Sequence, residues 1–249
     1  MIAQDLTYYG LDRYQAHKLP ELIERLAKIK GVEWLRLHYA YPTAFPDDIL
    51  RVIRENDNVC NYLDIALQHV SDNMLKKMRR GINREQTYDL IEKIRKEVPG
   101  IHLRTTLMVG HPGETEKDFE ELVQFVRDAR FERMGAFPYS HEDGTYAYDN
   151  YSDDVPDEVK QERMDELMSV QERIALDINE RKIGNKIRVI VDKEEDNYYI
   201  GRTEYDSPEV DPEVLIEKTE EMSIGEFYDV KITGAHPFDL YGTLVEKES

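Results

Sequence analysis

The chain has 249 residues and carries 52 Asp and Glu against 33 Lys and Arg, a formal charge of −19 at pH 7. Its 40% hydrophobic content suffices for a sizeable core, in one large α/β domain or two smaller ones. A single cysteine, Cys60, excludes an internal disulfide framework and any cysteine-rich metal cluster built from this chain alone, no run reaches the length of a membrane span, and no signal peptide opens the sequence.

The first predicted element is a strand, Ile2–Tyr8, with nothing before it to pair with. Compact domains seldom open on a core strand, so the chain reads as a fragment. Leu22, Ile23, Leu26 and Ile29 give Leu19–Lys30 helical spacing. A strand follows at Trp34–His38, then a helix at Pro46–Glu55 with proline in its first turn and Ile49, Leu50 and Ile53 on one face. Cys60 is expected to be a small buried residue at the entry to a strand, Tyr62–Ala66. A short helix at Asp72–Met78 precedes a longer one at Arg84–Val98, patterned by Tyr88, Ile91, Ile94 and Val98.

The next stretch is the most informative. His102–Val109 is a strand, and its part from Leu103 onward is apolar and β-branched, as expected of one covered on both faces. Gly110, Pro112 and Gly113 end it abruptly. Thr115 then offers an N-cap, with Asp118 three residues on, ahead of the apolar face Phe119, Leu122, Val123 and Val126. Such a turn presents backbone N–H groups at the carboxyl end of a parallel strand, where α/β folds bind small ligands. A fifth strand is predicted at Arg133–Pro138. Strand and helix in alternation imply right-handed crossovers and a parallel sheet. A full eight-fold barrel needs about 250 residues, so only a partial (β/α) barrel fits.

Asp153-Asp-Val-Pro-Asp157 opens a long helix running to about Lys182, and Gly184 ends it. Thereafter short strands, Lys186–Asp192, Tyr198–Thr203, Val214–Ile216, Phe227–Ala235 and Leu240–Val245, are separated by Gly, Pro, Asn and Asp, the pattern of a small antiparallel β-barrel. The expected organisation is therefore α/β, with a partial parallel barrel over residues 1–182 and a small OB-like barrel over 183–249.

Polar residues collect at the predicted carboxyl ends of the strands: Gln4 and Asp5, His38 and Tyr39, Gln68 and His69, Gly110 to Glu114, and Tyr139 with Ser140 and His141. In parallel α/β folds that rim is where sites assemble. Met78-Arg-Arg-Gly-Ile-Asn-Arg84 joins two helices, and its arginines suit bidentate contact with a carboxylate or phosphate. His38 and His69 are candidate bases or metal ligands, but neither lies in an HExxH spacing. There is no P-loop, no nucleophile turn, and GHPGE is too short for a dinucleotide fingerprint.

Together, Leu37-His-Tyr-Ala-Tyr-Pro42, Tyr62-Leu-Asp-Ile-Ala-Leu-Gln-His69, Met78-Arg-Arg-Gly81, Leu103 through Phe119 and Phe137-Pro-Tyr-Ser140 resemble the radical S-adenosylmethionine methylthiotransferases. Ile200 to Asp211 and His236 to Gly242 are similar to the terminal TRAM barrel of the branch that acts on a ribosomal protein. The resemblance implies a radical-SAM barrel, S-adenosylmethionine as cofactor, and two 4Fe-4S clusters in the full-length parent. It also implies the reaction, addition of a methylthio group to the β-carbon of an aspartate in a basic small-subunit ribosomal protein. The candidate cofactor-binding residues are Gln68, His69, Arg104, Gly110, Pro112, Gly113, Glu114 and Tyr139. Arg79, Arg80, Asp206, Glu209 and Asp211 are the candidates for substrate contact. No catalytic residue and no metal ligand is assigned.

The family's CxxxCxxC loop and amino-terminal domain have no counterpart here. The expectation is a carboxyl-terminal part that binds neither cluster and does not turn over alone, working in the cytoplasm without contact with a membrane. Residues 183–249 hold 17 Asp and Glu against 7 Lys and Arg, a net of −10. Such a module repels nucleic acid and attracts a basic protein, which disfavours the sister branch acting on transfer RNA. A non-catalytic acidic adaptor, and an aldolase-like barrel using Asp5, His38 or Arg104, are the alternatives from other classes.

Overall fold

The computed structural model describes residues 1–43, 45–208 and 210–245. It divides into two compact units, Met1–Gln171 and Glu172–Ser249.

The first unit opens differently from expectation. Residues 2–8 form no strand. Met1 hydrogen-bonds to the sheet edge, its ammonium donating to Arg36 O at 2.7 Å while His38 N donates to Met1 O at 3.2 Å. The Asp5 carboxylate then takes both the N–H and the hydroxyl of Thr7 and starts a 3-10 turn, Leu6–Tyr8. A local side-chain bond has displaced the ladder. Two helices follow, α1 (Leu11–Tyr14), which the apolar spacing did not mark, and α2 (Leu19–Ala27).

Four strands make the sheet: β1 (Leu35–Ala40), β2 (Val59–Gln68), β3 (His102–Val109) and β4 (Arg133–Pro138), in that spatial order and all parallel. Their crossovers carry α3 (Asp48–Glu55), α4 (Asp72–Lys77) with α5 (Arg84–Glu97), and α6 (Glu116–Ala129). Cys60 lies in β2 and is buried.

The two faces of the sheet differ in chemistry. Along β3, Leu103, Thr105, Leu107 and Val109 are buried, while Arg104, Thr106 and Met108 between them are partly open. Ile91 and Ile94 of α5, and Phe119, Leu122 and Val126 of α6, add to the buried core. Each fully buried Leu or Val there is worth about 1.5–3 kcal/mol over its exposed state. The other face is polar. Asp64, Arg104 and Arg133 stand in register on β2, β3 and β4, Arg104 Nη1 lies 3.4 Å from Asp64, and His38 Nδ1 lies 3.9 Å from the same carboxylate. His38 has its pKa lowered to about 4 by burial, helped by the Met1 ammonium, Arg36 and Arg104, so it is neutral at pH 7.

The helix starts are fixed as their sequences suggest. Thr115 and Asp118 form a reciprocal capping box on α6, and Asn83 with Gln86 forms another on α5. Asp118 does more than cap. It also accepts from Ser71 Oγ at 2.6 Å and Asn73 Nδ2 at 2.8 Å, and Ser71 is itself the N-cap of α4. One carboxylate thus ties the turn after β2 to the turn after β3.

Beyond β4 come α7 (Tyr146–Asn150), also unmarked in the sequence, and the long α8 (Asp157–Glu180). The second unit is a closed barrel ordered β5-β6-β7-β9-β8, with β5 (Lys186–Glu194), β6 (Tyr198–Thr203), β7 (Val214–Glu217), β8 (Phe227–Ala235) and β9 (Leu240–Leu244). It is antiparallel except where β7 pairs parallel with β9, which closes it. Val189, Val191, Val214, Ile216, Val230 and Ile232 fill it. Within this unit Asn179, in the last turn of α8, donates to His236 O at 2.9 Å. Among the described residues no helix is long and apolar enough to cross a membrane.

Asp118 makes the first unit acid-sensitive. Burial works against its ionisation, but the bonds from Ser71, Thr115 and Asn73 outweigh it and hold the pKa at about 2, against 3.8 ordinarily. A depressed carboxylate contributes stability that is full above pH 3.8 and is lost as pH falls toward 2. Urea midpoints of Asp118→Asn should therefore fall less than those of the parent chain between about pH 4 and about pH 2; parallel losses would refute the assignment. At neutral pH, Thr115→Ala should cost about 1 kcal/mol.

Candidate functional site

Three successive strands end in left-handed backbone. Tyr39 near the end of β1 has φ 59°, Gln68 at the end of β2 has φ 70°, and Gly110, just past β3, has φ 74°. Register slips precede the end of β1 and of β2, the local twist that re-aims a side chain at a rim. Holding a non-glycine residue there costs of order 1–3 kcal/mol and is found where surroundings over-determine it.

Beside this rim lies a cavity of about 430 Å³. Gln68, Met108 and Phe137 line it from the strands, Lys77, Arg79 and Arg80 from the end of α4 and its connector, His111 and Tyr139 from the turns beyond β3 and β4, and Tyr146 from the start of α7. Gln68 Oε1 is buried with no hydrogen-bond partner, an acceptor left for a ligand. His111 packs edge-on to Tyr139 at 5.1 Å and to Tyr151 at 5.9 Å. Burial lowers its pKa, opposed by the Pro112 carbonyl. Tyr139 meets His141 Nδ1 at 2.9 Å through its hydroxyl, and burial pushes that hydroxyl's pKa up.

The expected cofactor residues separate into wall and scaffold. Gln68 and Tyr139 are in the wall. His69 and Glu114 are not, since both side chains are wholly buried. His69 Nδ1 accepts from Val70 N at 2.9 Å and Ser71 N at 3.0 Å, which leaves its proton on Nε2, facing Glu114 Oε2 at 3.5 Å. Glu114 Oε2 accepts from Gly110 N at 2.9 Å, and its Oε1 accepts from Arg163 Nη1 at 2.8 Å. These two residues hold the turn's shape. Arg104 also lies off the cavity, against Asp64 in mid-strand.

Gly110, Pro112 and Gly113 form the turn itself, clamped from two helices. A Cβ on Gly110 would run into the Lys160 side chain, and one on Gly113 would meet the end of Lys77. Lys77 Nζ donates to Pro112 O at 3.3 Å and Gly113 N donates to Asp154 at 2.7 Å. Lys160, almost wholly buried, is held by Asp153 at 2.6 Å and Asp157 at 3.1 Å. Burial disfavours its charge, but these two carboxylates outweigh that and raise its pKa.

Of the expected substrate residues, Arg79 and Arg80 line the cavity. Burial lowers the pKa of Arg80, which donates to Ala66 O and lies 4.4 Å over the Tyr41 ring. Of the barrel residues, Asp206 is 2% exposed, its carboxylate accepting from the N–H and hydroxyl of Thr203, so it closes its own loop; the half-buried Asp211 accepts from Ser207 N at 2.8 Å. Glu209 falls outside the described residues. Tyr146 and Lys77 were missed by sequence reasoning, although the tyrosine-rich run from Tyr139 to Tyr151 was a usable signal for the first.

The cavity suits S-adenosylmethionine in having an orphaned amide oxygen, Gln68 Oε1, and aromatic walls, Phe137 and Tyr139. The chain's own residues do not suit an iron–sulfur cluster. Its one cysteine is buried in β2, and among the described residues no group of three or more His, Cys, Asp or Glu is placed to hold a metal ion.

Comparison with known proteins agrees with this geometry. The Radical SAM superfamily pattern matches residues 3–126, and the TRAM domain pattern matches 183–245. The ribosomal protein uS12 methylthiotransferase RimO of Parabacteroides distasonis is 66% identical over 245 residues, 98% of this chain and 57% of its own length. That of Porphyromonas gingivalis (strain ATCC 33277) is 66% identical over 248 residues, 99% of this chain and again 57% of its own. The chain thus spans little more than half the length of these relatives. Among solved structures, coproporphyrinogen III oxidase (HemN) from Escherichia coli, a radical SAM enzyme, superposes with a TM-score of 0.51 at 19% identity, covering 62% of this chain and 37% of that one. That likeness is one of fold.

The Arg163–Glu114 pair gives the site a stability test. Removing one partner of a buried pair strands the other charge, at about 3–5 kcal/mol. Arg163→Met should lower the urea midpoint of the first unit accordingly, and Gly110→Ala should do so by displacing Lys160. If both variants unfold like the parent chain, Glu114 is not the anchor of the turn.

Proposed function

The chain belongs to the radical SAM superfamily and carries a TRAM domain, and from that membership we propose that it is the portion of a ribosomal-protein methylthiotransferase that receives the adenosyl donor and docks the substrate. The observation that carries this reading is the 66% identity to uS12 methylthiotransferases, which runs through both units of the chain.

On this reading S-adenosylmethionine, when bound, supplies the precursor of a hydrogen-abstracting adenosyl radical. Gln68 offers it an acceptor, Phe137 and Tyr139 offer apolar faces, and the turn from Gly110 to Gly113 closes the adjoining edge. His69, Glu114, Lys160 and Arg163 keep that turn in place. No step is assigned to a cluster, because this chain lacks the thiolates to hold one. The work would be done in the cytoplasm, where ribosomal proteins are found.

The substrate class follows from charge. With Asp206 committed to its own loop, the exposed acids of the barrel include Glu194, Glu195 and Asp196 at the β5–β6 turn, and Glu220, Glu221 and Glu226 before β8. Lys218 offsets Glu194 at 2.8 Å and Lys193 offsets Glu195 at 2.9 Å, yet residues 183–249 keep a net charge of −10. This surface attracts a basic protein and repels RNA, and it does so less as salt rises.

Two measurements test the proposal. In the native host, Gln68→Ala in this gene should abolish the methylthio group on the modified aspartate of uS12, read by mass analysis of ribosomal peptides; undiminished modification would sink the reading. In pull-downs, the chain should retain purified uS12 at low salt, lose it as salt rises, and retain transfer RNA less; preferential capture of transfer RNA would reassign the substrate.

A further inference from the structure

Resting on the reading just given, we propose that Arg79, stacked on Tyr146, is the residue that recognises the carboxylate of the acceptor side chain at the cavity mouth. Several cations of this acidic chain pair with a carboxylate: Arg51 with Glu24, Arg95 with Glu132, Arg163 with Glu114 and Lys193 with Glu213. The cavity gathers three that do not. Lys77, Arg79 and Arg80 line it, and none of the three forms an ion pair among the described residues. Lys77 and Arg80 spend donors on the backbone carbonyls of Pro112 and Ala66. The Arg79 guanidinium makes no hydrogen bond among the described residues. It lies with Cζ 4.5 Å from the centre of the Tyr146 ring, and Tyr146 meets Tyr151 edge-on at 5.9 Å. The one acid in the wall, Glu142, accepts from Ser140.

The backbone supplies a second, independent argument. Met78 is the C-cap of α4, and Arg79 follows it at φ 56°. Helices commonly place glycine at that left-handed position, because a side chain there is strained. Bonds from Arg79 N to Lys76 O at 3.1 Å and Arg80 N to Leu75 O at 2.9 Å hold the cap. An arginine is thus kept where the fold alone would favour glycine. A guanidinium steadied on an aromatic face presents paired N–H groups that match a planar carboxylate in bidentate fashion. An acidic acceptor side chain entering the cavity would meet this donor before the more deeply placed Arg80.

The same backbone logic makes Arg79→Gly the decisive variant, since it removes the side chain while relieving the strain. N-acetyl-aspartyl-N-methylamide, titrated onto the full chain, should move the Arg79 Nε–H resonance in nitrogen–proton correlation spectra. The asparaginyl analogue should not. Arg79→Gly should weaken the aspartyl probe at least tenfold with a urea midpoint equal to or above that of the parent chain, and Tyr146→Ala should weaken it while Tyr146→Phe does not. The proposal is overturned if the asparaginyl analogue or inorganic phosphate moves the resonance as far as the aspartyl probe, or if Arg79→Gly binds that probe unchanged. A parallel titration with S-adenosylmethionine separates the two readings. No donor binding with an intact aspartyl response defeats the methylthiotransferase reading and leaves the carboxylate site; donor binding without an aspartyl response does the reverse.

Discussion

The rim of the sheet depends on one buried carboxylate. Glu114 lies at the end of the Gly/Pro turn with no exposed side-chain surface, and it is stable there because three groups surround it: Gly110 N, the Arg163 guanidinium and the His69 imidazole. A carboxylate taken out of water needs this degree of satisfaction. Each partner comes from a different element, so fixing Glu114 fixes the end of β2, the end of β3 and the start of α8 relative to one another within the first unit. Asp118, one helical turn later, repeats the device by joining the N-caps of α4 and α6. The cavity wall inherits its precision from these two acids, neither of which belongs to it.

Charge is distributed against the grain of the composition. In a chain at −19, Lys77, Arg79 and Arg80 line one cavity, and none of the three forms an ion pair among the described residues. On the proposed reading, a net-negative chain attracts a basic macromolecule while the cavity cations meet an anionic group on a smaller ligand or side chain, so long-range attraction and local recognition carry opposite signs and do not compete.

Much of the fold was legible in the sequence. Apolar runs and helical spacing located β1 to β4 and the helices between them, and the capping pair Thr115 and Asp118 placed the start of α6 correctly. The closed barrel was visible in its short strands and turn residues. The failures have local causes. Ile2–Tyr8 has the composition of a strand, but the Asp5 carboxylate captures Thr7 and turns the chain away. Helices α1 and α7 are too short for periodicity to register. Asp206 looks like a surface acid until its loop closes on it.

The sequence by itself determined the order of the elements, the family likeness, the acid excess and the residues present at the strand ends, because these follow from composition, period and motif along the chain. Only the tertiary structure decided which of those residues face the cavity and which hold it up. Gln68 and His69 are neighbours in sequence, yet a register slip and a left-handed φ leave Gln68 in the cavity wall, while His69 is buried against Glu114. That division rests on contacts between residues some 45 positions apart, such as His69 with Glu114 and Arg163 with Glu114, and no reading of local pattern contains them.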